Sequence, residues 1–248
     1  MAKYLITGIA GFIGSSLARA VLTQRNEVRG IDNFSTGRKE NIAEIVGDID
    51  FREADLLDLD AVKDACRGVD YVLHQAAIPS VPRSVRNPIE SNQANVDATV
   101  NVLVAARDAG VKRVVYAASS SVYGDSPAMP KREEMVPDPI SPYAVGKLAG
   151  EHYMKAFYRC YGLETVCLRY FNILGRGRIP ILLTRACLPN LLPKCWQKSN
   201  PPSMGMASRA AILPLWKTRL RPIYWHANRP RRKLQGGFLI LPPVGESL

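Results

Sequence analysis

The sequence predicts an α/β protein built on a doubly wound parallel sheet with helices on both faces. Three observations carry this. Short apolar runs alternate with segments of helical period through residues 1–175. A cluster of glycines joins the first run to the first helix. An acidic residue, Asp32, closes the second run.

The elements follow in order. "KYLITG" (Lys3–Gly8) is an apolar run stopped by glycine, which predicts a buried strand, and the stretch from Phe12 has apolar residues at helical spacing. "EVRGIDN" from Glu27 is the second strand. "IDFREADLLD" supplies the third and leads into the helix-like "LDAVKDACRG". "VDYVLHQAA" is a fourth strand, rich in β-branched residues. "NVDATVNVLVAARDAG" predicts a helix closed by Gly110, and "VKRVVYAASS" a fifth strand. "SPYAVGKLAGEHYMKAFYRCYG" predicts a long helix closed by Gly162, and "ETVCLRYFN" a sixth strand.

Charge divides the chain. Residues 1–175 hold 20 Lys+Arg against 21 Asp+Glu, whereas residues 176–248 hold 13 against the single acid Glu246. The net charge of +11 therefore belongs to the tail and implies no basic surface on the domain before it. All three Trp and ten of the 18 Pro also lie in the tail. No signal-peptide pattern or membrane-spanning run is expected, and the five Cys form no CxxC pair. Reduced thiols and a cytoplasmic location are the expectation, with no metal site.

Two patterns carry chemistry. In "TGIAGFIG", Gly8, Gly11 and Gly14 sit between a strand and a helix. Glycines there permit a tight turn, a close backbone approach to a pyrophosphate and close helix–strand packing. The N–H groups of the helix start, at Phe12 and Ile13, face the same phosphates. Asp32 lies 18 residues past Gly14, where a carboxylate accepts the ribose hydroxyls of NAD and repels the 2′-phosphate of NADP. In "SPYAVGK", Tyr143 and Lys147 are four apart and share a helix face, so the ammonium is expected to lower the phenol's pKa and make Tyr143 a base. The hydroxyls of "AASSSVYG" precede them at a strand end, where doubly wound sheets bind ligands. His74, at the end of a strand, is expected to be a packed residue.

With "DNFSTG", "ADLLD", "HQAA", "NQANVDAT" and "RYFN", these motifs make residues 1–175 resemble the extended short-chain dehydrogenase/reductases of Rossmann fold. The resemblance is to the NAD-dependent UDP-sugar 4-epimerases within the epimerase/dehydratase family. It implies NAD as cofactor, bound by Gly8, Gly11, Phe12, Ile13, Gly14, Asp32 and Asn33. It places Asp55 and Leu56 about the adenine, and Gln75, Ala76 and Ala77 along the cleft. Asn95 and Tyr170 fall near the nicotinamide, with Tyr143 and Lys147. Ser119 takes the catalytic Ser/Thr position beside Tyr143 and Lys147. Ser80, Arg83, Ser121 and Asn172 would face a UDP-sugar, either UDP-glucose or UDP-N-acetylglucosamine. Ser120 and Ser121 stand where dehydratases carry an Asp–Glu pair, which argues against dehydration. A homodimer through the helices at Asp97–Gly110 and Ala144–Cys160 is a further implication; a nucleic-acid or membrane partner is not.

After "RYFN" the family pattern stops. Joining the third base of each codon to the first two of the next lets residues Arg176–Arg185 encode R-Q-D-P-N-S-P-Y-S, which resembles the family's continuation. The same phase permits G-D-G-E-Q-S-R-D-F within Pro202–Asn228 and G-G-V-F-N-I-A within Arg232–Pro242. The expectation is a nucleotide-binding domain over 1–175, then a frameshifted tail over 176–248 that holds no proper domain. A chain so truncated should have little or no epimerase activity. The alternatives are a non-catalytic NAD- or nucleic-acid-binding protein using the basic tail, with "RPRRK" (Arg229–Lys233) as its contact, or another UDP-sugar-modifying member of the family.

Overall fold

The computed structural model describes residues 1–173 and the backbone of residues 238–240. Seven parallel strands form one sheet: β1 (Lys3–Thr7), β2 (Glu27–Asp32), β3 (Asp50–Glu53), β4 (Tyr71–His74), β5 (Arg113–Ser119), β6 (Glu164–Tyr170) and β7 (Phe238–Ile240). Their order is β3-β2-β1-β4-β5-β6-β7. The chain moves outward one way from β1 to β3 and then returns to lay β4 on the other side of β1. That reversal opens a crevice at the carboxyl ends of β1 and β4.

Six α-helices lie among the described residues: α1 (Phe12–Thr23), α2 (Leu59–Cys66), α3 (Val81–Arg86), α4 (Pro88–Asn92), α5 (Ala98–Asp108) and α6 (Pro142–Tyr161). The six strands and four longer helices expected from the sequence are present. The short α3 and α4 were not expected; each starts with a proline in its first turn and an oxygen-bearing N-cap, Ser80 and Asn87. The predicted start of α5 at Asn95 is instead a single π-helical turn, Gln93–Asp97.

Strand β7 pairs with β6, Cys167 opposite Phe238 and Arg169 opposite Ile240. It lies in the tail, which was expected to hold no proper domain; a bare Phe-Leu-Ile run is short and apolar enough to add to a sheet edge. The rest of the suspected frameshifted tail lies outside the described residues.

Side chains of β1 alternate between two cores. Leu5 joins the cluster formed with Val62, Leu103, Met154 and Phe157 of α2, α5 and α6. Its neighbours Tyr4 and Ile6 join the opposite cluster, with Leu17 and Val21 of α1. Packing on both faces fixes the register and so the height at which each strand ends. The candidate site is built from those ends.

Candidate active site

Gly8 and Gly14 of the β1–α1 turn have no room for side chains. Gly8 adopts φ +66°, and a Cβ on it would stand 2.7 Å from Ala76 Cα. A Cβ on Gly14 would drive into the Gly8 carbonyl and stand 2.8 Å from Ile9 Cα. Gly11 is the N-cap of α1 and offers no side-chain acceptor, so the first-turn N–H groups at Phe12 and Ile13 get none from the cap. The turn thus presents bare backbone and a positive helix end to the crevice.

Asp32 stands beside it, at the end of β2. Its Oδ2 accepts from the Ala10 N–H at 2.9 Å and its Oδ1 from the Phe34 N–H at 2.8 Å. Each oxygen keeps a further lone-pair direction for a ligand hydroxyl. Burial raises its pKa, and the two N–H groups oppose that. Asn33 donates to Asp55 Oδ2 at 2.8 Å, which ties the end of β2 to the segment after β3. Leu56 is buried in the core, while its carbonyl accepts from Asn101.

On the other side of the glycine turn, the segment after β4 brings Gln75, Ala76 and Ala77 to the crevice. The Ala76 N–H donates to Thr7 Oγ1 at 3.2 Å. Asn95, buried in the π-helical turn, accepts from the Ile78 N–H through Oδ1 and donates through Nδ2 to Ser91 Oγ. Gln75 and Tyr170 are neighbours: the amide lowers the Tyr170 pKa against a stronger rise from burial. His74 is buried, as expected.

Ser119 ends β5, and Tyr143 and Lys147 lie on α6, which Ser141 N-caps through the Ala144 N–H at 3.2 Å. Ser119 lies near enough to the Tyr143 phenol to favour its phenolate. Ser121 donates its own hydroxyl to Ser119 Oγ at 2.9 Å. The three expected catalytic residues therefore converge at the end of β5.

The expected electrostatics need correction. Burial raises the Tyr143 pKa, and only Ser119 opposes it. The Lys147 ammonium points at the sheet. Nζ donates to the Ala117 carbonyl at 3.0 Å and stands 4.8 Å from the centre of the Tyr116 ring. Burial lowers the Lys147 pKa to about 7, and the Glu151 carboxylate opposes that fall. Sharing a helix face placed the two side chains together without deciding where the longer one points.

Three residues around this centre went unnoticed in the sequence. Glu151, one turn beyond Lys147, is fully buried and pairs with buried Arg169 of β6. Arg169 also donates from Nη1 to the Tyr123 hydroxyl at 2.9 Å. The only available signal was an isolated arginine inside an apolar strand with an acid at helical spacing from Lys147.

The expected sugar-side residues are more scattered. Ser80 spends its hydroxyl as the N-cap of α3, accepting from the Arg83 N–H. The Arg83 guanidinium pairs with Glu90, which raises its pKa. Asn172 is exposed just past β6. An open concavity of about 800 Å³ between α4 and the start of α6 includes none of the expected site residues in its wall. Among the described residues no group of three or more His, Cys, Asp or Glu side chains could hold a metal, and no helix is long and apolar enough to cross a membrane.

A glycine cradle at a helix start with a strand-end carboxylate beside it is the arrangement of a nucleotide-binding domain of the doubly wound class. The chain belongs to the NAD dependent epimerase/dehydratase family, whose sequence profile matches residues 4–203 and so runs past Gly175. A UDP-glucose 4-epimerase of Mycolicibacterium smegmatis is 41% identical over 182 residues, 72% of this chain and 58% of the relative. A UDP-N-acetylglucosamine 4-epimerase structure from Methanobrevibacter ruminantium, in complex with UDP-N-acetylmuramic acid, matches with TM-score 0.69 and 39% identity over 72% of this chain and 57% of that one. A Thermus thermophilus UDP-glucose 4-epimerase structure in complex with NAD matches with TM-score 0.68 and 39% identity over 72% and 58%. The chain thus spans less than two thirds of the length of each.

Proposed function

We propose that this chain is the nucleotide-binding part of an NAD-dependent enzyme that inverts C4 of a UDP-hexose through a 4-keto intermediate. The observation that carries the reading is the gathering of Ser119 at the end of β5 with Tyr143 and Lys147 of α6, in the sheet whose β1 end carries the glycine turn. The similarity to 4-epimerases of UDP-glucose and UDP-N-acetylglucosamine supports it, and the two sugars stand as equal candidates.

The residues present fit NAD. The Gly8, Gly11 and Gly14 turn would hold the pyrophosphate, Asp32 the adenosine ribose, and Asn33, Asp55 and Leu56 the adenine side. Gln75, Ala76, Ala77, Asn95, Tyr143, Lys147 and Tyr170 would surround the nicotinamide half. Bound NAD would accept hydride from C4 and return it to the opposite face. Tyr143 takes the proton of the sugar 4-hydroxyl and gives it back, and Ser119, backed by Ser121, hydrogen-bonds the same oxygen. Burial raises the phenol's pKa, and the positive charge of an oxidised nicotinamide ring beside Tyr143 would lower it. Ser80, Arg83 and Asn172 would meet the sugar nucleotide once the rest of the protein closes over them.

We further propose that residues 176–248 are an out-of-frame reading of the missing substrate domain, after loss of one base at the Gly175 codon. As it stands the chain would then bind NAD with little or no turnover. Resequencing the DNA across that codon tests this; an unbroken reading phase contradicts it. In a frame-restored chain, incubation with each UDP-hexose should yield its C4 epimer. A protein that binds NAD but converts neither sugar would favour the non-catalytic reading. A second copy would dock through the outer faces of α5 and α6, where Val145 and Tyr153 are exposed, and sedimentation of the frame-restored chain as a monomer would refute this.

A further inference from the structure

We infer that His74 is a positioning residue, neutral and protonated at Nε2, that locks the glycine turn to the segment after β4 through a ring of hydrogen bonds closed by the backbone between Ala76 and Ile78. The inference rests on the proposed NAD site for its consequence but not for its geometry.

The ring can be followed proton by proton. The Thr99 hydroxyl donates to the Asn95 carbonyl at 2.8 Å, which uses its only proton. Toward His74 Nε2, 3.0 Å away, Thr99 Oγ1 can only accept, so Nε2 carries hydrogen. His74 Nδ1 lies 2.7 Å from Thr7 Oγ1. Thr7 Oγ1 accepts from the Ala76 N–H and donates its own proton to Nδ1. Asn95 closes the ring, accepting from the Ile78 N–H through Oδ1 at 3.1 Å. Ala76 and Ile78 are thus held from opposite ends of one network with His74 in the middle.

The groups facing the imidazole agree with a neutral ring. Thr7 comes from β1 and Thr99 from α5. The Tyr116 ring of β5 stacks on it with centroids 5.5 Å apart. Lys147 of α6 lowers its pKa, adding to burial, to about 3. A charged His74 would have to donate at Nδ1 and leave the Thr7 proton without its acceptor.

The ring matters because Thr7 precedes Gly8, and Gly8 touches Ala76. Neither wall of the crevice at the switch point can shift without breaking it. The sequence marks none of this, because the partners are 25 and 67 residues away from His74.

The test uses the full chain with 15N-labelled histidine. The His74 signal should show the Nε2–H tautomer, unchanged from pH 5 to 8; an Nδ1–H tautomer or a titration in that range would overturn the proposal. Thr7→Val should speed amide exchange at least tenfold at both Ala76 and Ile78, although Thr7 touches only the former, and Thr7→Ser should restore both. Acceleration at Ala76 alone would reduce the ring to separate contacts and refute the lock. NAD titration of the same variants should show at least tenfold weaker binding for Thr7→Val. A parent chain that binds no NAD would count against the proposed function, while the tautomer and exchange results still decide the role of His74.

Discussion

Arg169 of β6 and Glu151 of α6 form a bidentate ion pair, Nε to Oε1 and Nη2 to Oε2, each at 2.8 Å, with both side chains buried. The pair joins α6, the helix of Tyr143 and Lys147, to the sixth strand. Through Tyr123 it also holds the turn that follows Ser119. Removing one partner strands the other charge in the interior. Glu151→Gln or Arg169→Met should each cost about 3–5 kcal/mol. The double change Glu151→Leu with Arg169→Met should cost less than either single change. Urea unfolding measures all three, and a double variant worse than both singles would show that the pair is net stabilising rather than merely costly to break.

Lys147 predicts a pH dependence. Its folded pKa, about 7, lies below the ordinary 10.5. Between those values the unfolded chain binds a proton that the folded chain has released. Stability should therefore rise with pH across that window, by at most about 1.4 kcal/mol per pH unit from this group. Below about pH 7 the full cost of burying the ammonium is present. Lys147→Met should flatten the profile between pH 7 and 10; an unchanged slope would place the ammonium in water.

Much of this arrangement was legible in the sequence, and the remainder was hidden for definite reasons. The strands showed because both faces are buried and their runs are apolar. Gly8 and Gly14 showed because the turn leaves no space for a Cβ. Ser119, Tyr143 and Lys147 were singled out by motif and spacing, yet the direction of Lys147 was not legible, since the Ala117 carbonyl it meets is 30 residues away. Asn95 was placed at the site, but its π-helical turn was invisible to a 3.6-residue period. Glu151, Arg169 and Tyr123 read as unrelated polar residues because their contacts are purely tertiary.

Asp32 predicts cofactor choice. Its two oxygens are fixed by the Ala10 and Phe34 N–H groups, so a 2′-phosphate would meet an oriented negative charge. The full chain should bind NAD at least tenfold more tightly than NADP, and Asp32→Ala should weaken NAD and narrow the gap. Isothermal titration with both dinucleotides checks this; equal binding by the parent would remove Asp32 from the ribose site.

The most direct test of the account is turnover by the frame-restored chain with and without Tyr143→Phe, read as interconversion of the C4 epimers of UDP-glucose and of UDP-N-acetylglucosamine. The account predicts that the parent interconverts at least one pair. The variant should lose at least about 100-fold in kcat while still binding NAD. An unchanged kcat in the variant, or a parent that binds NAD and converts neither sugar, would contradict it.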